Sequence, residues 1–385
     1  MKNQPILHNI RILDFTWVLA GPYATRLLGD FGAEVIKVQS PVSTEDDDAF
    51  TRGYYNTWNR NKLGITLNLN KPEGVALAKK LVSICDAVVE NFTPRVMANW
   101  GLDYANLKKV KPDIIMVSMS VMGQKSPHRD YVGYGPTVQA FSGMTQLTSF
   151  PGQPPLGPGF SYADHIAGLY ASLGLLGALE HRRRTGEGQH IDISEVAAMA
   201  GLLSDVTLET DKEPEPTGNS STLAAPHNVY QCKDDRWCAV AVFTEEEWRG
   251  LKRALGNPAW VEDERFATLS GRLDNGDELD KFIAAWTREH TAGEVMSRLQ
   301  ENGVAAGVVQ DAADLARDPQ LKARGFFIED MKIPFADASP IRMEQSGAEY
   351  RRSAPTPGQD NDYVYGKLLG LGEKEMKTLR ENRVI

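Results

Sequence analysis

The stretch IRILDFTWVLAGPYATRLLGDFGAEVIKVQ, residues 10–39, decides the fold. The apolar run over residues 10–15 reads as a strand. AGPYATRLLGDFG follows as a helix, with Pro22 suited to its first turn and Gly32 to its end. A second strand covers residues 33–39. The alternation then continues with a helix over 73–83, a strand over 87–91, a helix over 95–100 and a strand over 114–120. Strands alternating with helices imply the α/β class, a largely parallel sheet with helices on both faces. Such sheets bind ligands beyond the C-terminal ends of their strands. A dinucleotide fits poorly there. The first turn, DFTWVLAGPYAT, lacks GxGxxG, and the second strand ends in Gln39 and Ser40, where an acid would hold a ribose hydroxyl. There is no Walker sequence either.

The chain has 385 residues, which makes two domains the expectation. A hydrophobic share of 42% and a charged share of 24% describe a globular protein. No run of about 18 apolar residues suggests a membrane span, and the N-terminus lacks a signal-peptide profile. Three scattered cysteines, Cys85, Cys232 and Cys238, suit a reducing compartment, so the expected location is cytoplasmic. Their spacing does not resemble a zinc site, and no metal is expected. A formal charge of -9 argues against nucleic acid as a partner. A polyanionic ligand must therefore find a local basic patch.

A second stretch carries the chemistry: GPGFSYADHIAGLYASLGLLGALEHRRRTGEGQHIDISE, residues 157–195. From 166 to 179 it is apolar on nearly every side and rich in small residues, which predicts a core helix buried all round. Asp164 stands as a lone acid where that helix begins. It is either an N-cap or a carboxylate nucleophile kept ionised by the helix dipole. Arg182, Arg183 and Arg184 read as a charge cluster closing the helix.

Residues 14–41, then NRNKLGITLNLNKPEG, VVENFTPRVMANWGLDY, the Asp164 region with RRRTGEGQHIDIS, and finally GVVQDAADLARDPQLKARGFF resemble the family III CoA-transferases. This is the family of formyl-CoA transferase and the carnitine-pathway CoA-transferase, related to alpha-methylacyl-CoA racemase. The resemblance implies a Rossmann-like large domain with an inserted smaller α+β domain, in an interlocked dimer. It divides this chain into a large CoA-binding domain over 1–200 completed by 330–385, a linker over 201–225 and a small domain over 226–329. The charged, Pro-rich 211–221 suits a linker, and equally a surface loop. NVYQCKDDRWCAVAVF predicts a hairpin turning at Asp234 and Asp235.

Carried over residue by residue, the family's catalytic aspartate falls on Asp164. The CoA-binding positions fall on Val18, Leu19, Ala20, Leu67 and Asn91. Two basic family positions are Ser40 and Asn99 here, which leaves Lys37, Arg60 and Arg95 as local candidates for the missing charge. Coenzyme A and acyl-CoA are implied as substrates, without ATP or metal. The racemase branch pairs its aspartate with a histidine. Tyr134 occupies that place here, and a phenol with a reference pKa of about 10 is a poor carbon-acid base. STLAAP, residues 221–226, lacks the glycine run of formyl-CoA transferase, which argues against formate and oxalate, and GYGPTVQAFSG, residues 133–143, resembles family members that take a dicarboxylic, aromatic or other larger acid. Tyr131, Tyr134, Phe141, Phe150 and Phe160 either line a roomy pocket for it or belong to the core. The expected assembly is a homodimer, or a heteromer with a related subunit.

Overall fold

Strands that are apolar on both sides need cover on both faces, and the sequence supplies a helix after nearly every one. The computed structural model describes residues 4–41, 49–204, 215–328 and 336–385, so the expected linker lies in part, at 205–214, outside the described residues. Two compact units emerge. The first comprises Met1–Thr145, Gly157–Lys212 and Pro319–Ile385, and the second Gln146–Leu156 and Glu213–Asp318.

In the first unit the chain runs β1 (Arg11–Asp14), α1 (Ala20–Asp30), β2 (Glu34–Gln39), α2 (Ala49–Asn59), β3 (Lys62–Thr66), α3 (Pro72–Ser83), β4 (Ala87–Glu90), α4 (Arg95–Asn99), α5 (Tyr104–Val110) and β5 (Ile115–Ser120). Next come α6 (Gly135–Phe141), the single turn α7 (Met144–Leu147), whose last two residues belong to the second unit, then α8 (Tyr162–Thr185), β6 (His190–Ser194) and α9 (Glu195–Ala200). The six strands form one parallel sheet in the order β3-β2-β1-β4-β5-β6. Successive side chains point to opposite faces. Leu13, Ile36 and Val88 therefore pack on one side with α3, α5 and the C-terminal Tyr365, Val384 and Ile385. Ile12, Val35 and Val89 pack on the other with α1 and α8. The C-terminal segment also extends the hydrogen bonding beyond β3. Asn68 N–H donates to the Val384 carbonyl at 2.8 Å, and the Tyr365 hydroxyl to the Thr66 carbonyl at 2.8 Å.

The strand order reverses between β1 and β4. Two adjacent strands whose connections leave in opposite directions open a crevice at their C-terminal ends. That crevice receives the residues on which the chemistry rests.

The helix expected to be buried on all sides has two faces. Ala163, Ala167, Ala171, Leu175 and Ala178 are buried, whereas Leu169, Tyr170, Leu173 and Leu176 are exposed, Leu173 by 66%. Spacings of three and four residues place the exposed group on one stripe. The apolar sequence registers burial without specifying whether the cover comes from the same chain.

The second unit has its own sheet, β7 (His227–Gln231), β8 (Trp237–Ala241) and β9 (Ala305–Val308), antiparallel in that order. The hairpin turns as expected, with Asp235 at φ 56°. Helices α10 (Glu245–Ala254), α11 (Gly276–Thr287) and α12 (Ala292–Glu301) bury Trp248, Leu279, Ile283 and Val295 in a separate core. All three cysteines are buried and unpaired. Among the described residues no helix is long and apolar enough to cross a membrane.

Candidate active site

The loop from β1 to α1 is shaped by one buried acid. Asp14 ends β1 fully buried. Its Oδ1 accepts from the Thr16 N–H at 2.8 Å, and its Oδ2 from the Thr25 hydroxyl at 2.7 Å and Lys62 Nζ at 3.0 Å. Lys37, opposite it on β2, stands 3.8 Å away and donates to the Thr16 carbonyl. Burial alone would raise the Asp14 carboxyl, but the two ammonium groups and the two hydroxyls hold it down at about 2. Burial pushes Lys62 down to about 7, with Asp14 opposing the shift.

So anchored, the loop carries Val18 at φ 60°, a left-handed conformation that a β-branched residue adopts only under constraint. Asn91, just beyond β4, spans the crevice. Its Oδ1 accepts from the Trp17 N–H at 2.9 Å, and its Nδ2 donates to the Trp17 carbonyl at 3.0 Å.

Asp164 lies in the first turn of α8, after Ser161 at the N-cap position, so it is not the cap residue. Close helix packing aims it. A Cβ on Gly168 would stand 2.8 Å from the Ala20 carbonyl, so only glycine allows α8 this near to α1. Ser172 donates to the Ala24 carbonyl at 3.2 Å and the Gly168 carbonyl at 2.9 Å. As a result, the N-terminus of α1 faces the carboxylate, which accepts from the N–H groups of Ala20 and of Asp164 itself. Burial raises the Asp164 carboxyl, while His165 and these two donors favour the ionised form. Gly135 leaves room on the other side: a Cβ there would stand 2.4 Å from Asp164 Oδ2. His165 turns away into an aromatic cluster, 4.7 Å from the Phe160 ring and 4.9 Å from that of Tyr23.

Two adjoining cavities share Trp17, Val18 and Phe92. The larger, about 520 Å³, is walled by Lys37, Gln39, Leu67, Asn68, Asn70 and Trp100 among others. The smaller, about 280 Å³, holds Asp164, Asn91, Arg95, Ser120, Tyr134 and Glu195. Leu19 and Ala20 are buried and line neither cavity, although Ala20 reaches the site through its N–H. Arg60 lies buried on Asp30 at 2.6 Å. Of the five aromatic pocket candidates only Tyr134 lines the Asp164 cavity. Arg182 pairs with Asp86 at 2.7 Å, and Arg183 and Arg184 pair with Glu180 on their own helix, as a closing charge cluster would.

Sequence reasoning missed Asp14, Gly135 and Glu195. An acid closing an apolar strand was the available signal for Asp14. Gly135 and Glu195 gave none, because their roles arise from helices that meet only in three dimensions. Burial, and then the charge of Asp164, push the Glu195 carboxyl up to about 8.

The arrangement presents a carboxylate at two helix N-termini, in a small chamber opening beside a larger one. The sequence matches the model of CoA-transferase family III over residues 7–361. It is 36% identical to the succinyl-CoA–D-citramalate CoA-transferase of Chloroflexus aurantiacus, over 98% of each chain. It is 32% identical to the succinate–glutarate CoA-transferase of Agrobacterium fabrum, over 95% of this chain and 96% of the other. The crystal structure of a CAIB/BAIF family protein from Brucella suis superposes with a TM-score of 0.89 at 31% identity, covering 95% of this chain and 100% of that one. The chain therefore belongs to CoA-transferase family III.

Proposed function

We propose that this enzyme transfers CoA from succinyl-CoA or a related acyl-CoA to a dicarboxylic acid through an aspartyl-CoA thioester on Asp164. The carrying observation is the Asp164 carboxylate, buried at the head of α8, facing the Ala20 N–H and lining a small chamber that adjoins the larger cavity. Asp164 attacks the thioester carbonyl, and the C–S bond breaks to give a mixed anhydride and CoA thiolate. The thiolate then attacks the Asp164 carbonyl carbon, releasing the donor acid and leaving CoA on the enzyme. The acceptor acid runs the same steps in reverse, so thioester energy is conserved throughout. The Ala20 N–H, already bound to the carboxylate, is placed to stabilise oxyanion charge as Asp164 reacts.

The cavity containing Leu67 and Asn68 takes the nucleotide end of CoA, and Val18 and Asn91 frame the passage towards Asp164. Arg95 lines the chamber and supplies a cation for the distal carboxylate of a dicarboxylic acid. The relatives named for citramalate and glutarate support that substrate class. Among the described residues no histidine lines the Asp164 chamber, where Tyr134 stands instead, which favours transfer over racemisation. The exposed apolar stripe of α8 supports a homodimer, and the unpaired cysteines support a cytoplasmic location.

Incubation with an acyl-CoA panel, hydroxylamine trapping and peptide mass mapping tests this reading. Wild type is expected to yield an adduct at Asp164 with succinyl-CoA. Asp164→Ala is expected to lose activity by on the order of 10⁴-fold. A variant that keeps full transferase activity would sink the mechanism.

A further inference from the structure

The chamber holds a second carboxyl that the transfer steps above leave idle. Glu195, the first residue of α9, is 7% exposed and lines the same wall as Asp164. Ser120 Oγ, which lines the same chamber, is buried and has no hydrogen-bond partner among the described residues. That is a polar group waiting for a ligand atom. The titratable or charged groups sharing the chamber with Glu195 are Asp164 from α8, Tyr134 preceding α6 and Arg95 from α4.

We propose that Glu195 is the proton store for the CoA sulfur, a catalytic residue that touches the thiol in both half-reactions. The proposal rests on Asp164 being the nucleophile. When Asp164 expels CoA thiolate, the electron pair of the C–S bond goes to sulfur, and the neutral Glu195 carboxyl gives sulfur its proton. Glu195 then takes the proton back as sulfur forms its bond to the Asp164 carbonyl carbon and the donor carboxylate leaves. The chamber returns to its starting protonation, with no other reagent consumed.

Three observations carry the assignment. Two carboxyls sharing a buried chamber do not both ionise readily. The backbone N–H groups of Ala20 and Asp164 favour the ionised form of Asp164, whereas burial and the Asp164 charge both favour the neutral form of Glu195, which assigns the proton to Glu195. The raised value near 8 also lies close to that of a thiol, about 8.5 for the cysteine reference. Proton exchange with CoA is then nearly balanced in both directions. Finally, part of that rise comes from the charge of Asp164. Acylation removes the charge, so Glu195 becomes a stronger acid in the step that liberates thiolate.

The test is a single-turnover comparison of wild type and Glu195→Gln with succinyl-CoA between pH 6 and 10, quenched and read as adduct at Asp164. Wild type is expected to slow as pH rises past about 8, where the donor is deprotonated. Glu195→Gln is expected to be on the order of 100-fold slower at pH 7 and to lose that alkaline limb. Glu195→Asp is expected to restore the limb in part. A variant with the wild-type rate, or with a uniform loss that keeps the limb, overturns the proposal. Should the Gln variant fold poorly, wild type in D₂O decides: a normal solvent isotope effect on adduct formation is expected, and its absence overturns the role. Failure of wild type to form any Asp164 adduct overturns the nucleophile assignment instead, which separates the two claims.

Discussion

At the scale of single residues, Gly135 and Asp164 form a lock. Any side chain at 135 enters the space of the carboxylate, since a Cβ would stand 2.4 Å from Oδ2. Gly135→Ala is therefore expected to turn Asp164 from its aim. Transferase turnover should fall on the order of 100-fold, while urea unfolding should show a loss of no more than about 2 kcal/mol. Loss of fold instead of turnover would contradict this account. The place of Asp164 was legible: a lone acid where an apolar, small-residue helix begins does stand in the first turn of α8. Its environment was not. The Ala20 N–H and Glu195 come from segments far apart in the chain, and only the packing of α8 against α1 and α9 gathers them. Asp14 shows the same limit. Its partners Lys37 and Lys62 sit on β2 and β3, where strand register puts three charges together.

At the scale of elements, the β1–α1 loop combines anchoring with strain. Asp14 fixes its start, Asn91 grips Trp17, and Val18 is held at φ 60° between them. A strained backbone residue of this kind costs about 1–3 kcal/mol. Val18→Gly should relieve the strain, offset in part by the greater freedom of glycine in the unfolded chain. The expected net gain in unfolding free energy is about 1 kcal/mol. The same change loosens the shared wall of the two cavities, so the first half-reaction should slow by roughly tenfold in single-turnover assays. A variant that is both less stable and fully active would show that the loop is not under strain. The strands, and α1 with its Pro22 and terminal Gly32, were readable because their signals are local. The left-handed Val18 was not, because nothing in TWVLA marks it.

At the scale of the molecule, the exposed stripe on α8 gives the assembly a definite test. Leu173 is its most open member, at 66% exposure. In the proposed homodimer, Leu173→Glu should leave the chain folded by circular dichroism yet halve its mass in sedimentation, because a charge would replace the apolar contact proposed between copies. An unchanged dimer would move the interface elsewhere. The sequence overstated the cover that one chain can give this helix, since apolar composition carries no information on which molecule supplies the contact. The closure of the first unit by its C-terminal residues has a further consequence, one of timing. Asn68 Nδ2 donates to the Arg383 carbonyl, 315 residues away. At ribosomal rates of about 5–20 residues per second that interval lasts roughly 15–60 s. Throughout it the apolar sheet face awaiting Tyr365, Val384 and Ile385 is uncovered on the nascent chain. The large unit thus completes its core only once residues 365–385 have been made, and the growing polypeptide presents a surface that chaperones would engage.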